Sequence, residues 1–155
     1  MPSELGHHAQ GILSGESGFV QAIALENLLV LAEEEDLILH LRRRPGQFVA
    51  EGAVLAEVVA RAKVDDSLPE KILRHVIFGR DRTPTQDIEY SIDQLVEVAV
   101  RAVSPGVNDP STAITCIECL GAALTQMAER KIPPRWPADV KGKLRVNMHP
   151  ADSRG

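Results

Sequence analysis

The sequence predicts an α+β fold: a small β-rich N-terminal part, half-barrel-sandwich-like, followed by an antiparallel helical bundle. Three observations support it. Short runs between residues 18 and 60 alternate apolar and polar positions, the period of a half-buried strand. Two longer segments, 88–103 and 113–127, repeat apolar residues at steps of three and four, the period of a helix. Proline–glycine and acid–glycine pairs punctuate the β-rich part, and prolines bound the helices. With 155 residues, 44% of them hydrophobic, the chain is long and apolar enough to bury a core without staples.

Residues 1–17, rich in glycine, serine and histidine, read as a flexible lead-in in which Ile12-Leu13 has the chance to dock. Residues 18–60 form the β-rich subdomain with one helix. Its first strand is Gly18–Ile23, with Phe19 and Gln21 on one side and Val20 and Ala22 on the other. The helix runs from about Leu25 to Glu35, with Leu25, Leu28, Leu29 and Ala32 as its apolar face. It ends in Glu33, Glu34, Glu35 and Asp36, acids that oppose the helix dipole and need cations nearby. Arg42, Arg43 and Arg44 are the candidates, at the end of an alternating strand from Leu37 to Arg42; two solvated charge clusters are the plainer reading. Pro45-Gly46, Phe48-Val49, Glu51-Gly52 and Val54–Val59 then read as turn, strand, turn, strand. This resembles half of a biotinyl or lipoyl carrier sandwich, but no lysine stands at either tip and Lys63 lies beyond the last strand, so local β geometry is the preferred reading.

Residues 60–67 are a linker, and 67–130 form a helical subdomain. A helix is expected from about Pro69 to Phe78, with Ile72, Leu73, Val76 and Ile77 inward and Gly79 ending it. Thr83-Pro84 with Gln86 fits a capping box, and Asp87 is a competing cap. The helix that follows reaches about Ser104 and carries a broad stripe of Ile88, Ile92, Leu95, Val96, Ala99, Val100 and Val103. Pro105 and Gly106 stop it. Asn108 or Asp109 caps the next helix, Pro110 to about Arg130, whose seam is Ala113, Ile117, Leu120, Leu124 and Met127. Together these make a helical hairpin. Residues 131–155 are an irregular, proline-rich tail with room for one short strand between 141 and 148.

Composition narrows the function classes. A formal net charge of -5 argues against general nucleic-acid binding, and the scattered Phe19, Phe48, Phe78, Tyr90 and Trp136 offer no stacking platform. No apolar run approaches the roughly 20 residues needed to span a bilayer, and no signal peptide opens the chain. Cys116 and Cys119, three apart on a helical pattern, point to a reducing compartment, and a cytoplasmic location follows. Core packing accounts for this pair better than redox or zinc chemistry, because His7-His8, His40, His75 and His149 complete no ligand set. No metal or cofactor is expected, and no nucleophile, base and orienter assemble at readable spacing. The ligand-binding candidates are Arg80, Arg82, Asp87, Asn108 and Asp109, an anion or partner site beside a helix start. In an antiparallel pair the start of the first helix and the turn lie ~25 Å apart, so joining all five needs a fold-back or a second subunit. Capping and surface ion pairs explain the same residues without a ligand.

Several spaced segments then carry a family resemblance: Gly18-Phe19-Val20-Gln21-Ala22-Ile23, Arg44-Pro45-Gly46-Gln47-Phe48-Val49, Gly79–Asp87, Gln94-Leu95-Val96-Glu97 and Ser104-Pro105-Gly106-Val107-Asn108-Asp109-Pro110. Over roughly Ser14 to Arg130 the chain resembles the bacterial predicted membrane proteins of the domain of unknown function 2254 family. The resemblance implies an inner-membrane parent with a bundle of membrane helices ahead of a soluble region, and this chain would be that region. Membrane association would then run only through helices absent from this chain. Two departures from the pattern are expected: no membrane helices, and a tail after Ile132 unlike the family's continuation. The family has no established activity. The leading expectation is therefore a non-enzymatic protein-interaction or regulatory module that forms a homo-oligomer. The alternative is an anion- or metabolite-binding or catalytic domain using Arg80–Asp87, and a carrier domain comes third.

Overall fold

The computed structural model describes residues 8–60, 65–129, 142 and 144–148. The chain is mixed α and β, with strands in two sheets and four helices among the described residues. It divides into two compact units: Met1–Gln86 with Pro134–Gly155, and Asp87–Pro133.

The first unit holds β1 (His8–Leu13), β2 (Gly18–Ile23), α1 (Leu25–Glu34), β3 (Leu37–Leu41), β4 (Phe48–Val49), β5 (Val54–Ala60), α2 (Leu68–Leu73), β6 (Val76–Gly79) and β7 (Val146–Met148). One sheet has the order β1-β5-β3-β7, antiparallel except where β7 lies parallel to β3. The other is antiparallel, in the order β4-β2-β6. Leu39 sits at the centre of the larger sheet, opposite Val58 on one side and Val146 on the other. Leu37, Leu39 and Leu41 are all buried as expected on β3, but Ile38 between them is buried too, so the strand is covered on both faces there instead of alternating cleanly. Helix α1 packs on β3 and β7 and closes the core with Leu28 and Ala32, both fully buried, while Leu25 and Leu29 flank them. The second unit holds α3 (Ile88–Ala102) and α4 (Pro110–Glu129), which pack on each other.

Three local expectations need correction. Residues 8–13, expected within a lead-in, form β1, and Ile12 is fully buried. Glycine, glutamine and histidine give this strand little intrinsic preference; pairing along β5 decides it. The helix expected over 69–78 stops at Leu73, where the Arg74 and His75 N–H groups donate back to Glu70 and Ile72. Val76, Ile77 and Phe78 then pair with β2 instead, since a short apolar run fits helix and strand alike until a neighbour decides. The strand-turn-strand reading over 48–59 holds as β4 and β5; β4 joins β2 and β5 joins β1 and β3, so the turn at Gly52 (φ +78°) carries the chain between sheets. The acids ending α1 find cations from distant sequence. Lys71 Nζ reaches Glu35 at 2.7 Å and Arg145 Nη1 reaches Asp36 at 2.6 Å, while Arg42 bonds Glu57 on β5 at 2.6 Å. Arg42 and Lys71 are accordingly held above their ordinary pKa ranges, in each case chiefly by the carboxylate hydrogen bond.

The short strand expected in the tail is β7. Lys63, the prolines at 133, 134 and 137, and residues 149–155 lie outside the described residues.

The two ion pairs that end α1 differ in burial. Arg145 is 8% exposed, whereas Lys71 and Glu35 are each about a third exposed or more. Asp36→Ala leaves a buried guanidinium short of its partner and is expected to cost roughly 2 kcal/mol. Lys71→Met is expected to cost under about 0.5 kcal/mol. Urea unfolding of the two variants checks this; equal losses would show that burial of Arg145 contributes nothing.

Candidate functional site

The segment from Gly79 to Asp87 is laid along the end of β2 by two glutamine side chains. Gln21 crosses directly over Gly79, where an added Cβ would stand 2.0 Å from its Nε2, so a larger residue there has to push the glutamine aside. The same Nε2 donates to the Asp81 carbonyl at 2.9 Å. Farther on, Gln86 grips both polar atoms of one peptide position: its Oε1 accepts from the Ile23 N–H at 2.9 Å, and its Nε2 donates to the Ile23 carbonyl at 3.2 Å. A side-chain amide thus replaces the strand neighbour that Ile23 lacks on that edge. Gln86 was expected as the far end of a capping box with Thr83. It is committed to Ile23 instead, and Thr83 lies outside the helix.

Between these two clamps stand Arg80 and Arg82. Arg80 is exposed; Arg82 is half-buried and already engaged. A shallow pocket of about 370 Å³ opens beside Gln86 at the start of α1, lined by residues 23–27. Ala24 provides no side-chain cap there, and Glu26 sits in the first turn, which disfavours an anion at that helix end.

The other three candidates belong to the second unit and act as helix-terminus groups. Asp87, 5% exposed, is the cap of α3, accepting from the Tyr90 N–H at 3.0 Å. Asp109 starts α4: Oδ1 accepts from the Thr112 N–H at 3.1 Å and Oδ2 from the Thr112 hydroxyl at 2.6 Å. The hydroxyl bond, then the N–H bond, hold the Asp109 carboxyl below the usual carboxylate range. Asn108 adopts φ +48° and lets the turn close, with the Asp109 N–H donating to Ala102 and the Asn108 N–H to Ser104. Ser104–Pro110 therefore ends one helix and starts the next. Asp87 and Asp109 lie a helix length apart, ~22 Å for the 15 residues of α3, and are not brought together.

The second unit holds a different feature. Its helices pack on each other; Ala102 on α3 and Ala113 and Cys116 on α4 are buried, and Ile92, Leu95 and Ala99 on α3 and Leu120 on α4 are half-buried. The rest of the expected stripes is open. Val96, Val100 and Val103 are 44%, 63% and 59% exposed, and Ile117 and Leu124 are 64% and 56% exposed; Ile114, outside the expected seam, is 56% exposed beside them. The expected α4 seam thus holds at Ala113 and Leu120 but not at Ile117 and Leu124, which lie outside while Cys116 lies inside. A stripe this wide needs neighbours on two sides, and α4 covers one. A shallow groove of about 600 Å³ runs along α3 past Val96, Glu97, Val100, Arg101 and Ser104. Cys119 is exposed and both cysteines are free. Among the described residues no cluster of histidine, cysteine and carboxylate is arranged to hold a metal ion, and no helix is long and apolar enough to cross a membrane.

The sequence matches the family described as predicted membrane protein (DUF2254) over residues 2–155, and the chain belongs to it. The match includes the tail expected to depart from the family pattern. The uncharacterized proteins Mb1321c of Mycobacterium bovis and Rv1290c of Mycobacterium tuberculosis are each 32% identical over 137 residues. That stretch is 86% of this chain and 26% of either relative, so the chain spans about a quarter of the length of the curated relatives it matches.

The caps give a direct check. Asp87→Ala is expected to lower stability by about 1 kcal/mol, with loss of helix signal. Thr83→Ala is expected to change it by less than about 0.5 kcal/mol. Thermal unfolding followed by circular dichroism decides; a larger effect at Thr83 would restore the capping box.

Proposed function

We propose that this member of a predicted membrane protein family is a protein-contact module, working through an apolar face on α3 and α4 rather than through catalysis. The observation that carries the reading is the exposure of Val96, Val100 and Val103 beside Ile114, Ile117 and Leu124. Two helices in contact and joined by residues 103–109 run antiparallel, as a hairpin. On each helix the open row lies one step round from the inward row. At about 3.6 residues per turn, and with the chain direction reversed, the two open rows come to the same side of the pair. Contiguous apolar surface of this kind marks an interaction site more often than a free surface.

In this reading the chain lies on the cytoplasmic side of a membrane parent, consistent with two free thiols. The anionic-ligand alternative has less support: Arg82 is engaged, and Asp87 and Asp109 are used as caps. In the absence of another partner, copies of the chain pair through the apolar face.

Sedimentation equilibrium tests this. The weight-average mass is expected to rise above the monomer as the chain is concentrated from micromolar to millimolar. Val100→Glu with Ile117→Glu is expected to weaken the association by roughly tenfold or more while leaving helix content intact. A monomer throughout, or association untouched by the double substitution, contradicts the reading.

A further inference from the structure

The groove along α3 carries one charge of each sign. Glu97 and Arg101 line it with Val96, Val100 and Ser104. The two charges lie one turn apart along one side of the groove, and the valines lie along the other. Both charged residues are exposed, and neither has an ion-pair partner among the described residues. Glu89 and Asp93, earlier on the helix, are already engaged. The spacing has a symmetry. Ala99 is the midpoint between Glu97 and Arg101, and the midpoint between Val96 and Val103 falls between Ala99 and Val100. When a helix lies antiparallel across a copy of itself, residues equidistant from the crossing point meet, and each side of the helix meets its own equivalent. A crossing at Ala99–Val100 sets Glu97 against Arg101 of the second copy, and Arg101 against its Glu97, on one side. On the other side it sets Val96 against Val103 and Val100 against Val100. The mismatch in level is no more than a single helical rise of ~1.5 Å.

We propose that the occupant of this groove is a second copy of the chain, its α3 lying antiparallel across the first about a two-fold axis near Ala99–Val100. The proposal rests on the contact reading above and adds the partner, the helix and the axis. The valines supply the attraction, and the charges set the register and the direction. A partner with a single sign of charge along this side gains one ion pair and meets one repulsion. A copy of the chain gains both ion pairs, because the two-fold axis turns each contact into its own reciprocal.

Charge reversal in the full chain, followed by sedimentation equilibrium at low salt, tests this. Glu97→Arg leaves two positive charges on that side of α3, and Arg101→Glu leaves two negative ones. Each alone turns both contacts repulsive and is expected to weaken self-association by at least about tenfold. An equimolar mixture of the two variants is expected to associate about as tightly as the unaltered chain, as mixed pairs. Glu97→Arg with Arg101→Glu in one chain is expected to restore self-association as well. These differences are expected to narrow as salt shortens the screening length to about 3 Å near 1 M. Rescue in the mixture separates lost charge pairing from lost folding, and circular dichroism checks helix content in each variant. Association untouched by either reversal overturns the inference and leaves the contact reading standing. So does weakening in both variants with no rescue in the mixture or in the double reversal. A chain that stays monomeric to millimolar concentration removes the inference and the contact reading together.

Discussion

Arg145 ties the end of the chain back into its beginning. Its carbonyl accepts from the Leu39 N–H at 2.7 Å, and its guanidinium reaches Asp36 at the turn between α1 and β3. Asp36 itself sits at φ +46°, a conformation that turns the chain directly from helix into strand. The parallel pairing of β7 with β3 that begins here needs a long crossover, and the crossover is everything between residues 41 and 146. The second unit lies within that excursion. The chain leaves the first unit at Gln86, fastened to Ile23, and returns to it at β7. Closing so long a path costs entropy, and the contacts that meet this cost belong to the first unit.

That arrangement frees the helices from making a core of their own. The first unit has its own core around Leu28, Leu39, Val58 and Val146. In the second, among the described residues, the buried apolar side chains are Ala102, Ala113 and Cys116, and all three are small. Helices of this length owe their stability to tertiary packing more than to propensity, so thin packing leaves this unit at the low end of local stability. The caps at Asp87 and Asp109 fix where the helices begin, and neither supplies the missing apolar contact.

Much of this was legible in the residues. Period and turn chemistry located β2, α1, β3, α3 and α4 closely, because each is long or strongly patterned. What failed was decided by partners distant in sequence. β1 exists because β5 offers an edge, and β6 because β2 does. The cations for Glu35 and Asp36 come from positions 71 and 145, where no local signal marks them. Gln21 and Gln86 were invisible as clamps, since an amide in a polar stretch carries no period. Among the candidate site residues, Asp87 and Asp109 were readable as caps from the helix starts that follow them. The apolar excess of α3 was readable as a stripe; which half of it is covered depends on the one neighbouring helix.

Hydrogen exchange followed by mass spectrometry, on the chain diluted to where it is monomeric, tests the central claim most directly. That claim is that the first unit is self-sufficient while the helical face awaits a partner. Amides of β3 and β5 are expected to exchange only through global unfolding. Amides of α3 and α4 are expected to exchange much faster, and to slow when the apolar face is covered. Equal protection of the helices and the central strands in the monomer would contradict the account.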